Sequence, residues 1–205
     1  MNNLQTCLKR LGACQKGLEW AGRHDDVLDA WWACPRGDWL LWLAVKLGVA
    51  RRTTVFAACE CARVALPFTE DERVRTAIIL AEQKASGDRD VGIEDLLVAA
   101  EDCREAALDA GCYADYAGAN SAYAAMYCVK SAMTPGRAKE EAAAVAEAVA
   151  EAAADAASSQ TEGDKARIVM HLVCSYIVRN RIDDDHIVSP WRRRFCAVKQ
   201  YLASR

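Results

Sequence analysis

The chain has 205 residues, 53% of them hydrophobic and 27% charged, with a formal net charge of −3. That is enough apolar chain for one well-buried core, and so small a net charge argues against a general nucleic-acid coat or a polybasic membrane binder. Four prolines and an Ala-rich second half favour helix over sheet, so the expected class is all-α. The expected architecture is a single compact bundle of about eight helices, with solenoid-like helix pairs as the alternative arrangement.

No basic start followed by an apolar run marks an export signal, and no apolar run reaches the ~18 residues of a membrane span. A soluble, cytoplasmic protein is expected. The ten cysteines are scattered, mostly within helical apolar patterns, and are expected to be reduced core residues. Charge is uneven along the chain. Acids lead five to two from Arg137 to Asp155, and bases lead nine to five from Glu162 to Arg205.

In chain order, Leu4 to Gly22 holds a short helix ending near Gly12 and a second carrying Leu18 and Trp20. Asp25 and Asp26 start a third over Val27 to Cys34, where adjacent Trp31 and Trp32 place two rings on neighbouring faces, so that at least one is exposed or in an interface. Cys34 to Leu66 is the expected core. Its two nearly charge-free runs, Trp39 to Val45 and Val55 to Ala65, predict helices buried on most sides. Arg36-Gly37 turn the chain and Asp38 sits where an N-cap carboxylate would lie. Gly48 ends the tryptophan helix, Thr53 or Thr54 caps the next, and Thr69 with Glu72 fits a capping box for a helix facing inward through Val74, Ala77, Ile78, Ala81 and Ala85.

From Ile93, the apolar positions Leu96, Leu97, Ala100, Cys103 and Ala107 predict a surface helix of the bundle. After Gly111, Tyr113, Tyr116, Asn120, Tyr123 and Tyr127 recur at steps of three and four, which aligns four phenols and an amide. They either fill the core or line a groove for a ligand or protein. Thr134-Pro135-Gly136 breaks the chain before a helix from Arg137 to Ser158, in which Glu147, Glu151 and Asp155 stack at i,i+4. Like charges there repel unless a cation comes between them, and the bland alternative is a solvated face. Asp164 to Ile182 predicts a core helix with His171 as a satisfied core histidine. The polar connection Asp183 to His186 leads to a basic helix that docks through Trp191, Phe195 and Val198. The domain division expected is 1–182 for the main helical domain and 183–205 for that basic helix.

No catalytic set is legible. His24-Asp25-Asp26 and Asp183 to His186 pair histidine with acids in polar connections, and neither a nucleophile elbow, a P-loop nor a dinucleotide-binding glycine pattern is present. Cys59-x-Cys61 points its sulfurs about 200° apart on a helix, so no metal or other cofactor is expected. Trp191 beside Arg192, Arg193 and Arg194 is too short a cluster to outweigh an acidic chain, which speaks against nucleic acid.

The residues Ala13-Cys14, Leu18-Glu19-Trp20, Ala30-Trp31, Cys34, Arg36 to Leu43 and Ala57-Ala58-Cys59-x-Cys61-Ala62-Arg63 resemble a family of putative immunity proteins of bacterial polymorphic toxin systems, also found in bacteriophages. The clear match covers Cys14 to Leu66. The resemblance implies a non-enzymatic inhibitor that blocks a toxin or defence protein by direct binding, as an immunity or phage counter-defence protein does. It carries over no catalytic residues. Glu147, Glu151, Asp155, Trp31, Arg36, Asp38, Tyr116 and Tyr123 are the expected partner-binding residues, with homodimerisation as a further expectation. The alternative is a small-molecule or nucleotide sponge or sensor with Trp39 and Trp42 lining a pocket between helices and Arg36, Arg51 or Arg52 holding a phosphate.

Overall fold

The computed structural model describes residues 3–133, 139–160 and 163–196. Among them are eleven α-helices and no strand. They are α1 (Asn3–Leu11), α2 (Gln15–Ala21), α3 (Val27–Ala33), α4 (Gly37–Leu47), α5 (Arg51–Arg63), α6 (Glu72–Ser86), α7 (Ile93–Cys112), α8 (Tyr116–Met133), α9 (Lys139–Gln160), α10 (Asp164–Arg181) and α11 (Asp184–Trp191). The all-α class holds, and the expected count of about eight is too low. The N-terminal third is cut into short helices at Gly12, at the Asp26 cap and at Pro35.

The helices gather around α9, which packs against α4, α5, α8 and α10. One of the two sequence expectations there was a helix with a solvated acidic face. Its alanines are why it can instead be central: Ala146, Ala150, Ala153, Ala154 and Ala157 are buried, and small side chains let four neighbours approach one axis. The Cys34 to Leu66 stretch is largely buried as expected, with Leu40, Leu41, Ala57, Ala58, Cys59 and Cys61 at its centre.

Several caps differ from the sequence expectation. Asp26 does cap α3, accepting from the amides of Leu28 and Asp29, and Gly48 ends α4 at a left-handed φ of 84° that L side chains avoid. Asp38, however, lies inside the first turn of α4 and makes no cap; Arg36 holds the cap position. Ala50 precedes α5, so neither Thr53 nor Thr54 caps it, and α6 is capped by Asp71, which accepts from the amide of Arg73. Thr69 accepts from Asp71 N instead of forming a capping box.

Leu97, assigned to the core face of α7, is exposed, and so are Tyr113 and Tyr116. After α11, Arg192–Cys196 form a single π turn in which Phe195 stacks on buried Trp191 at 4.6 Å. The π turn takes the place of a continued α-helix. The break at Thr134-Pro135-Gly136 and Val198 lie outside the described residues. No described helix is long and apolar enough to cross a membrane.

Candidate functional site

A partly buried charged network lies where α4, α9 and α10 meet, and Gly37 is what lets them meet. A Cβ on Gly37 would lie 2.4 Å from Cys174 Cβ and 2.9 Å from Ser175 N, so only glycine allows the start of α4 to rest on the α10 backbone. That contact brings Arg36 and Asp38 to His171. Arg36 donates from Nε to Asp38 Oδ1 at 2.8 Å, and from a terminal nitrogen to Asp38 Oδ2 at 2.5 Å and Glu151 Oε2 at 2.8 Å. Arg167 pairs with Glu151 and donates from Nε to Asp155 Oδ1 at 2.9 Å. The cations that the stacked acids of α9 needed therefore come from α4 and α10. Glu147, Glu151 and Asp155 form no solvated stripe.

His171 is 3% exposed, with its ring nitrogens 3.5 Å from Asp38 Oδ1 and 3.3 Å from Glu151 Oε2 and without hydrogen-bond geometry to either. Burial, with the nearby guanidinium groups of Arg36 and Arg167, outweighs the pull of Asp38 and Asp155 and lowers its pKa to about 4. The imidazole is neutral at ordinary pH and is not the satisfied core histidine expected. Glu147 is pushed above the usual carboxylate range by burial and by the charge of Asp38, and Asp155 is pushed up by burial. Asp38, Glu151 and His171 stand close enough to share a metal ion, but the guanidinium of Arg36 already occupies the cation position on both carboxylates.

The network opens at two places, and successive turns of α9 set which acid reaches which opening. Glu147 lines a partly open cleft of about 690 Å³ walled by Trp20, Trp31, Trp39, Trp42 and Cys34. Trp20 meets Trp39 edge-on at 6.1 Å, and Arg36 lies 5.2 Å from the centre of the Trp39 ring. Trp31 is buried, and its indole N–H has no protein acceptor. Glu151 and Asp155 instead line a groove of about 500 Å³ between α8 and α9, opposite Asn120, Tyr123 and Tyr127.

The predicted site residues are thus sorted by the structure. Tyr123, Glu151 and Asp155 share the groove, and Tyr116 stands exposed one turn before Asn120. Trp31, expected at a partner surface, is a core ring; its neighbour Trp32 is the exposed one. Asp38, expected there or at a cap, is 2% exposed and committed to Arg36. Trp39 and Trp42, expected in the alternative reading to line a pocket between helices, are half-buried walls of the cleft, on the side of α4 that faces the short α1 to α3. Arg51 and Arg52 do not join them. Arg51 donates to Ser131 O at 3.3 Å beside α8, and Arg52 lies over the Phe56 ring, so neither holds a phosphate at the tryptophans.

Sequence reasoning missed Arg167, Trp20 and the role of His171. The available signal was Arg167, His171 and Ser175 at four-residue steps through an apolar run, matching the step of the acids on α9.

Among other chemistry-bearing groups, His24 Nδ1 lies 2.7 Å from Asp29 Oδ2, so its acid partner is Asp29 and not Asp25 or Asp26. Burial pushes the Cys34 and Cys103 thiols up to about 12, far from a nucleophilic thiolate. Comparison with known proteins returns no matching family model, no matching characterised protein and no matching solved structure.

Proposed function

We propose that this is a non-enzymatic binding protein that neutralises a protein partner, of the toxin or defence type implied by the resemblance, by seating a basic side chain of it in the groove between α8 and α9. The observation that supports this is the charge balance beneath the groove. Among the described residues, Asp38 and Glu151 pair with Arg36, Glu151 and Asp155 pair with Arg167, and His171 is neutral. With four carboxylates against two guanidinium groups among the described residues the network is acidic, and burial raises the pKa of Asp155 and, together with the charge of Asp38, that of Glu147. A lysine or arginine entering between Tyr123 and Tyr127 supplies a further cation in a half-desolvated place, where such a pair adds affinity and selects the partner.

Affinity capture from the native host with wild type and a Tyr123→Ala/Asp155→Asn variant tests this. Wild type is expected to retain a protein that the variant loses, at matched melting temperature. Equal retention by both places the binding surface elsewhere.

A second function is favoured by the cleft. The tryptophan walls, the unpartnered Trp31 N–H and the carboxyl of Glu147 suit a flat, apolar small molecule carrying one hydrogen-bond acceptor and one donor. Native mass spectrometry of freshly purified protein is then expected to show added mass that Trp39→Ala abolishes, while the capture experiment is unaffected.

A further inference from the structure

Among the described residues, Glu147 is the acid of the α4, α9 and α10 network that has no ion pair. Asp38, Glu151 and Asp155 each pair with a guanidinium. Glu147 is partly buried as well, and the cation whose charge reaches it, Arg36, is committed to Asp38 and Glu151. One turn before Glu151 on α9, it lines the aromatic cleft, where it is the only charged side chain among the described wall residues. A carboxylate half out of water and without a cation is a place where a ligand's positive charge gains more than it does in solvent. The rings decide which end of the ligand goes there. Arg36 already lies 5.2 Å from the centre of the Trp39 ring, and Lys46 Nζ 5.9 Å from that of Trp42. Two of the walls thus already hold a cation of the chain itself, so the ligand's charge belongs at Glu147 and its apolar body against the indoles.

We propose that the cleft takes a protonated amine carried on a flat aromatic body, the ammonium group donating to the carboxylate of Glu147 and the body lying against Trp20, Trp39 and Trp42. This assignment rests on the small-molecule reading of the same cleft and makes that molecule's hydrogen-bond donor a cation. A neutral hydroxyl in its place leaves the charge of Glu147 uncompensated, and a charge-assisted hydrogen bond is roughly twice as strong as a neutral one. A ligand carboxylate would add a further negative charge to a carboxyl that already lies within the field of Asp38. The order of affinity is therefore cation, then neutral group, then anion.

Isothermal titration calorimetry of the full chain near neutral pH with tryptamine, tryptophol and indole-3-acetate tests this, because the three share an indole body and end in a cation, a hydroxyl and an anion. Tryptamine is expected to bind with a Kd of about 1 mM or tighter, the range open to a ligand of that size. It is expected to bind at least about tenfold more tightly than tryptophol, with indole-3-acetate weakest. Glu147→Gln keeps the shape of the side chain and removes its charge. That variant, folded by circular dichroism, is expected to bind tryptamine no better than tryptophol while its affinity for tryptophol stays within about twofold of wild type. Tryptophol or indole-3-acetate binding wild type as tightly as tryptamine overturns the cation and leaves the small-molecule reading standing. A preference for tryptamine that survives in Glu147→Gln overturns the role of Glu147. No binding of tryptamine at about 1 mM overturns the amine, and the small-molecule reading falls with it only if the freshly purified protein also shows no added mass.

Discussion

The two faces of α10 depart from the usual order. The inner face buries His171 and Ser175 among Met170, Cys174 and Val178 and receives a glycine, an arginine and three acids from its neighbours, and the outer face holds five large apolar side chains. A helix is normally sorted the other way because burying a charge costs more than exposing a leucine. The inner face tolerates its polarity because Asp38, Glu151 and Asp155 each pair with a guanidinium. Such networks are sensitive to the loss of a single member, while exposed apolar groups tolerate change unless something covers them. The difference is therefore measurable.

Removing a cation from the inner face should have the largest effect. Arg36→Ala leaves the carboxylate of Asp38 buried with neither of its charge-assisted bonds, and loss of one partner of a buried pair costs about 3–5 kcal/mol. Denaturant unfolding is expected to show a loss of that order. Were Asp38 a helix cap, Asp38→Ala would cost only about 0.5–2 kcal/mol; with its carboxylate held by Arg36, it is expected to exceed that range.

Acid should act next. The folded pKa of His171, about 4, lies below its ordinary value of 6.5, so on acidification the unfolded chain takes up a proton that the folded chain refuses. Stability is lost as pH falls from 6.5 to 4, by at most roughly 3 kcal/mol from this group. Glu147 and Asp155 work in the opposite sense. Their raised pKa lets the folded chain take up protons first, which returns part of the loss at the acid end of that range. Melting temperature against pH is expected to fall through this window, and His171→Gln to flatten the fall. An unchanged slope in His171→Gln would mean that the imidazole titrates normally.

Gly37→Ala should come third, because it drives a methyl group into Cys174 Cβ and the α10 backbone; overpacking of this kind costs about 1–3 kcal/mol. Crystallography of the variant is expected to show α4 displaced from α10 and the Arg36 to Glu151 bond lengthened.

Much of the helix layout was legible in the sequence. Helix starts and stops written in local chemistry, such as the Asp26 cap and the Gly48 stop, were recovered, whereas Asp38 was misassigned because a carboxylate before an apolar run looks the same whether it caps or pairs. The acid stripe of α9 gave the site its anions, but its cations sit 115 residues upstream at Arg36 and across the turn to α10 at Arg167, and no local pattern links them. Gly37 looked like a turn residue, since close backbone approach leaves no trace in periodicity. The apolar run of α10 looked like core because a run that is apolar on nearly every side does not say which side is covered.

The outer face should respond least in stability. Ile168→Ser, Leu172→Ser and Tyr176→Ser each remove a side chain that is about half exposed or more and packs little within one chain, so in dilute, monomeric samples each is expected to shift unfolding by no more than about 0.5 kcal/mol. The same variants measured at high protein concentration separate two causes for the exposed stripe. If a second copy of the chain covers it, wild type gains melting temperature with concentration by mass action and the serine variants do not. If wild type shows no such gain, the stripe is uncovered at those concentrations: with Met170, His171, Cys174, Ser175 and Val178 filling the inner face, the other apolar residues of α10 are left outside.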